Sequence, residues 1–341
     1  MKPISTKQIA RWAFLILLIT GTIYAIRNNR DIPFQKNEGM IFGTTYHITY
    51  QNETDLHTDI RNEMEKVDVS LSPFNPKSVI SAINENKDVL PDSMFIEVFR
   101  LAENISNETD GAFDITVAPL VNAWGFGFKN NDKITPKQID SLLIFTGFRR
   151  ISLKDGHIVK QDPRTILDCS AIAKGYGCDV VARLLDRRGV KNYMVEIGGE
   201  IVLSGQSPSK QDWKVGINKP VEDSLNINSS LESILHTTDI AMATSGNYRN
   251  FYYKDGKKYA HTIDPHTGYP VEHSLLSSTV LAPDCATADA YATAFMVMGL
   301  DSAKRIADLH PELMVYLIYA DEQGNEQTYY SPELKKMIQN N

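Results

Sequence analysis

The sequence predicts an α+β fold of mixed, largely antiparallel sheets with packed helices. Segments of β-branched, alternating character are interspersed with segments of helical spacing. They do not follow the regular βαβ alternation of a doubly wound sheet. Neighbouring strand segments are split by tight turns such as Gly198-Gly199. The 341 residues, 42% hydrophobic and 23% charged, suffice for a full core, as one large domain or two intimate ones. A net charge of −7 excludes a general nucleic-acid binder, because no basic excess meets phosphates. No low-complexity tract, Pro-rich linker or internal repeat occurs.

The N-terminus departs from this pattern. Lys2, Lys7 and Arg11 precede an uncharged run from Trp12 to Ile26, and Arg27 and Arg30 follow. A basic flank and a short apolar run resemble a secretory signal or a membrane anchor. No clean small-residue cleavage site follows and no cysteine stands nearby, so an uncleaved anchor with its N-terminus cytoplasmic is expected. The division expected is 1–32 as anchor and linker and 33–341 as a single exported body. Cys169, Cys178 and Cys285 are odd in number and lack a metal-type CxxC pair, so buried free thiols are expected. The Asn-x-Ser/Thr triplets at Asn52, Asn104, Asn107 and Asn228 matter only in a eukaryotic host.

A polar linker is expected to about Asn37, and then a strand over Met40 to Tyr50. Ile60, Met64 and Val67 fall at helical spacing, as do Met94, Val98, Leu101 and Ile105, with Ser93 as N-cap. Gly111 to Gly127 reads as an irregular loop carrying Asp114 and Trp124. Thr165 to Leu167 reads as a short strand, after which Ser170 caps a helix whose Ile172, Tyr176, Val180 and Leu184 form one stripe ending near Gly189. Strands are expected at Tyr193 to Ile197, Ile201 to Leu203, Trp213 to Ile217, Ile240 to Ala243, Leu275 to Ala282 and Leu313 to Tyr319. Helices are expected near 286–298 and 302–309.

Polar constellations sit among these elements. His261-Thr-Ile-Asp264-Pro-His266-Thr-Gly268-Tyr-Pro270 places two imidazoles, a carboxylate and hydroxyls on a turn fixed by its prolines and glycine. Asp289 and Thr293 stand four apart, one helical turn, on one face. Together they suit a hard cation and an anionic substrate, and a loop beside a capped helix has the same composition. Asp168 to Lys174 places a carboxylate at a strand end and a lysine in the first turns of a helix, which suits a phosphate. A helix cap with a solvated lysine fits equally. Gly198-Gly199-Glu200 and Thr244-Ser-Gly-Asn-Tyr248 read as turns, or as places where backbone and hydroxyls approach a ligand. Phe42, Phe74, Trp124 and Phe126 lie in Gly/Pro contexts and either stack on a planar ring or join the core. No GxxxxGK[ST], GxGxxG, HExxH or GxSxG pattern occurs.

Taken in order, nine segments resemble the FAD:protein FMN transferase (ApbE) family. They are Phe42-Gly-Thr-Thr45, Ser72-Pro-Phe-Asn-Pro-Lys-Ser78, Gly111-Ala-Phe-Asp-Ile-Thr116, Pro119-Leu-Val-Asn-Ala-Trp-Gly-Phe-Gly127, Leu167-Asp-Cys-Ser-Ala-Ile-Ala-Lys-Gly175, Glu196-Ile-Gly-Gly-Glu200, Thr244-Ser-Gly-Asn-Tyr248, His261-Thr-Ile-Asp-Pro-His-Thr-Gly268 and Ala288-Asp-Ala-Tyr-Ala-Thr293. The resemblance implies Mg²⁺-dependent transfer of FMN from FAD to a Thr or Ser hydroxyl of an acceptor protein, with AMP released. It further implies Mg²⁺ held by the Ala171 carbonyl, Asp289 and Thr293, with the Ala292 carbonyl as a candidate fourth donor. FAD contacts would come from Phe42, Phe74, Ala123, Trp124, Gly125, Asp168, Lys174 and Ile263.

Such a reaction needs pyrophosphate charge neutralised, a task for Mg²⁺ and Lys174, and a hydroxyl proton removed. His261 is the expected base, with Asp264 positioning it or the substrate. Three departures from the family pattern stand out: Phe42 where Met is frequent, Phe74 where Tyr or Trp is common, and no lipobox. The competing activities are an Mg²⁺-dependent FAD pyrophosphatase in the same site and a flavin carrier without turnover. The expected acceptor is a membrane electron-transfer subunit.

Overall fold

A computed structural model of the chain describes residues 6–28, 32–126, 134–220, 231–247, 251–254 and 257–339. Its centre is an eight-stranded sheet: β1 (Phe34–Ile41), β2 (Thr44–Gln51), β3 (Tyr193–Ile197), β4 (Glu200–Ser204), β5 (Ile240–Gly246), β6 (Leu275–Ala282), β7 (Met314–Ala320) and β8 (Glu326–Tyr330). Every neighbouring pair is antiparallel, as expected for the class. Spatial order equals chain order, so the sheet is a meander interrupted by excursions. The longest, between β2 and β3, carries the helices His57–Leu71, Ser93–Glu108 and Ala173–Arg187. The excursion between β4 and β5 carries Trp213–Asn218 and Leu231–Thr237, which form a second, three-stranded sheet with Ile338–Gln339.

The largest core cluster lies between helices and sheet. Phe95, Phe99, Tyr176 and Phe295 from three helices meet Ala243, Val280 and Ala282 from β5 and β6. The helix Cys285–Met298 is rich in alanine and buried at ten of its positions. Small side chains let it lie close to both the sheet and the Ala173–Arg187 helix. All three cysteines are buried and free, as expected.

Several expected boundaries shift for identifiable reasons. The strand expected over Met40 to Tyr50 is a hairpin, because Phe42 and Gly43 turn the chain with φ of 50° and 74°. Both central residues in the left-handed region is the signature of a type I′ turn. The expected linker up to Asn37 is already strand β1. Asp92 rather than Ser93 caps the Ser93–Glu108 helix, since its carboxylate accepts from Phe95 N at 2.8 Å. Part of the expected 111–127 loop is the helix Ala118–Ala123, and Gly127 lies outside the described residues. Thr165 to Leu167 is not a strand. The Asn84 side-chain amide takes the ladder's place, accepting from Leu167 N and donating to Leu167 O, both at 2.8 Å.

Ser170 does not cap the next helix; Ile172 holds the N-cap position without a side-chain bond. Instead Asp168 Oδ1 accepts from both Ser170 N and Ser170 Oγ in a local turn. The uncharged run near the N-terminus lies in the helix Thr6–Asn28. Among the described residues no helix is long and apolar enough to cross a membrane.

Candidate active site

Two helices and one strand set the geometry. Lys174 sits in the first turn of the Ala173–Arg187 helix, Glu200 opens β4, and Asp289 lies inside the Cys285–Met298 helix. Lys174 Nζ donates to Glu200 Oε1 at 2.7 Å and stands 3.7 Å from Asp289 Oδ2. Asp289 Oδ2 also accepts from Gly175 N at 3.1 Å. Burial alone would lower the Lys174 ammonium, but Asp289 and Glu200 beside it hold it above the usual lysine value. Burial pushes the Glu200 carboxyl up, and the Lys174 charge opposes that shift. Thr293 follows Asp289 by one turn, and Ala171 stands in the turn four residues before Gly175.

The two helices are tied at a second point. Asp179 Oδ1 and Oδ2 accept from Cys285 N and Ala286 N, each at 2.8 Å, satisfying free amides at that helix start. Burial raises the Asp179 carboxyl to about 7, against the pull of those two amides.

Lys174 forms part of the wall of a cavity of about 610 Å³, with Phe42, Phe74, Asp68, Ser170 and Ala173 among its other lining residues. Phe74 is 69% exposed at its rim. The aromatic pair, the ammonium and Ser170 are therefore assembled around one space, while Asp168, which holds Ser170, is not among its lining residues. That volume suits a ring system rather than a single ion.

Trp124 and Ile263 are placed differently. Both are buried in a small cluster with Leu120 and Ile139. Trp124 Nε1 donates to Gly268 O at 2.7 Å, and its ring lies 5.6 Å from that of Tyr269. Ile263 pairs with Pro270 in an isolated bridge. These residues brace the 261–270 turn from behind. Ala123 closes the short helix Ala118–Ala123, and Gly125 follows it at φ 84°.

Within the turn, Asp264 Oδ1 accepts from His266 N at 2.9 Å, and Oδ2 accepts from Thr267 Oγ1 at 3.0 Å. Its carboxylate thus organises the loop. His266, singled out only as part of the turn, faces Asp264 Oδ1 through Nδ1 at 3.2 Å and Asp110 O through Nε2 at 2.8 Å. His261 is partly buried, its ring edge-on to Phe126 at 6.5 Å. Thr262 Oγ1 donates to Asn247 Oδ1 at 2.7 Å, anchoring the turn to the end of β5. Tyr248 lies outside the described residues.

Sequence reading missed Glu200 as a partner of Lys174. Its only signals were its place after Gly198-Gly199 and at the end of the matched segment Glu196 to Glu200. Among the described residues no group of three or more His, Cys, Asp or Glu side chains stands in metal-holding range. A site drawing on carbonyl, hydroxyl and one carboxylate would not form such a group.

The ApbE family model matches residues 42–317. The FAD:protein FMN transferase of Vibrio cholerae is 35% identical over 311 residues, 88% of this chain and 91% of its own length. The chain belongs to the ApbE family. The Escherichia coli K12 FAD:protein FMN transferase is 32% identical over 315 residues, 88% of each chain. The solved flavin transferase ApbE from Vibrio cholerae superposes with a TM-score of 0.81, covering 89% of this chain and 100% of that one. The ApbE protein of Thermotoga maritima, at 25% identity, gives 0.78 with 90% and 100% covered. The ApbE resemblance of the nine segments and the α+β class thus both stand.

Proposed function

We propose that this chain transfers FMN from FAD to a Thr or Ser hydroxyl of an acceptor protein, releasing AMP. The observation that carries this reading is the meeting of Phe42, Phe74 and Lys174 around one cavity, beside a buried Asp289. Aromatic faces suit a planar heterocycle, and the ammonium suits a pyrophosphate. The acceptor oxygen would attack the phosphorus on the FMN side, the P–O bond to AMP would break, and the hydroxyl proton would pass to His261. Phe42 and Phe74 orient the substrate, while Lys174 offsets its phosphate charge.

The residues present fit a magnesium ion. Asp289 is a buried carboxylate with the Lys174 ammonium 3.7 Å away, and the Ala171 carbonyl and Thr293 hydroxyl would supply further oxygen donors. Bound there, Mg²⁺ would neutralise developing negative charge on the phosphate oxygens.

The test incubates residues 33–341 with FAD, Mg²⁺ and candidate acceptors, read by mass spectrometry for an FMN-sized adduct. AMP formed without acceptor would mark the pyrophosphatase instead. Replacing His261 with Ala is expected to slow adduct formation about a hundredfold with FAD affinity unchanged. Full turnover in that variant would remove His261 as base and leave Asp264 as the candidate.

For the N-terminus we propose an uncleaved anchor in a bacterial inner membrane, with the catalytic part on the periplasmic side. Large apolar side chains from Trp12 to Ile19 are exposed, with basic residues ahead of them. This placement makes a membrane electron-transfer subunit the fitting acceptor. Cell fractionation checks it: the full chain should sediment with membranes and residues 33–341 should not.

A further inference from the structure

Glu200 takes no part in the proposed transfer step, yet its environment is unusual. The residue is 4% exposed. Oε1 receives the Lys174 ammonium at 2.7 Å, and Oε2 has no hydrogen-bond partner among the described residues. Leaving a buried carboxylate oxygen unmet is costly. Neutralising Asp289 does not require Glu200 at all, since Lys174 alone could pair with it. The distances show the ammonium held by Glu200 and standing off Asp289, at 2.7 Å against 3.7 Å.

We infer that Glu200 is a positioning residue that keeps the Lys174 ammonium off Asp289, so that Asp289 stays open to a divalent cation. Lys174 is then retained in the cavity wall for the anionic part of the substrate. The inference rests on reading this cavity as the site of FAD and a divalent cation. Glu200 is placed for the task by its chain position. The Gly198-Gly199 turn ends β3 and directs the first side chain of β4 inward, against the helix that carries Lys174. Without Glu200, the ammonium has one carboxylate left, and it would close on Asp289 and compete there with any cation.

The test titrates Mn²⁺ alone into the full chain, counting free ion by electron paramagnetic resonance, so that no turnover enters the reading. Glu200→Gln should weaken Mn²⁺ binding about tenfold or more. Glu200→Asp keeps the charge but shortens the arm, and should also bind more weakly than wild type. Lys174→Met/Glu200→Gln should recover to within about threefold of wild type, because the competing ammonium is gone. A packing role alone would lower the melting temperature of Glu200→Gln and leave its Mn²⁺ affinity unchanged, which would overturn the inference. So would a Glu200→Asp variant with wild-type affinity, or a double variant as weak as Glu200→Gln. Wild-type protein that binds no Mn²⁺ would instead defeat the cation site itself.

Discussion

Asp289→Asn is expected to lower FMN transfer about a thousandfold while the chain stays folded. The substitution keeps the side-chain shape and leaves an oxygen for Gly175 N, which now donates to Asp289 Oδ2 at 3.1 Å. Lys174 keeps Glu200 as its partner at 2.7 Å. The folded state therefore loses little, on the order of 1 kcal/mol. Under the proposed cation role the reaction loses much more, because a neutral amide oxygen binds a hard cation far more weakly than a carboxylate and places no charge beside the phosphates. A thousandfold corresponds to about 4 kcal/mol at about 1.4 kcal/mol per decade, in the range of one strong electrostatic contact in a closed site. Asp289→Ala should be as inactive and also less stable by about 2 kcal/mol, since it leaves the buried Gly175 amide unmet. Rates of adduct formation, set beside melting temperatures, separate the two effects. An Asn variant working above a tenth of the wild-type rate would remove Asp289 from the machinery.

What the sequence revealed and what it hid follow from where the relevant contacts lie. Strands β3, β6 and β7 read clearly because they bury apolar side chains. Strand β1, Phe-Gln-Lys-Asn-Glu-Gly-Met-Ile, did not, because an edge strand with a solvent face carries polar residues. Strand β8 is half-exposed and was missed for the same reason. The expected strand at Thr165 to Leu167 has strand-like residues but forms no strand. Its partner is a side-chain amide 83 residues away, and no local pattern announces that.

The candidate site divides in the same way. The Asp289/Thr293 spacing and the 261–270 turn are local and were legible. That Trp124 braces the turn, through a bond to Gly268 that spans 144 residues, was not. Nor was the pairing of Lys174 with Glu200, since an acid after a Gly-Gly turn looks like any hairpin. The alternative in which Asp168 caps the helix fails on a short-range detail: its carboxylate is used by Ser170.

Gly175→Ala is expected to damage both stability and activity, through one methyl group. Gly175 lies where the Ala173–Arg187 helix crosses the start of the Cys285–Met298 helix. A Cβ there would stand 2.3 Å from Cys285 O, 2.7 Å from Cys285 C and 2.9 Å from Asp289 Cβ. Two of those atoms belong to helix backbone, so relief requires the helices to part. Overpacking of this kind costs about 3 kcal/mol, a fall of about 5 °C or more in melting temperature. Parting the helices also moves Gly175 N from Asp289 and carries the adjacent Lys174 with it, so transfer should fall more than about tenfold. Gly177→Ala provides the internal contrast. Its Cβ would meet Phe42 Cε2 at 2.5 Å, the tip of a ring at the cavity wall. That ring can swing aside, so Gly177→Ala should disturb FAD binding, raising KM more than it lowers kcat, with a smaller loss of stability. Thermal melts and steady-state kinetics on the two variants distinguish a blocked helix crossing from a displaced aromatic. If Gly175→Ala melts and turns over like wild type, the crossing has slack, and Asp289 and Lys174 are not held by the close approach of these two helices.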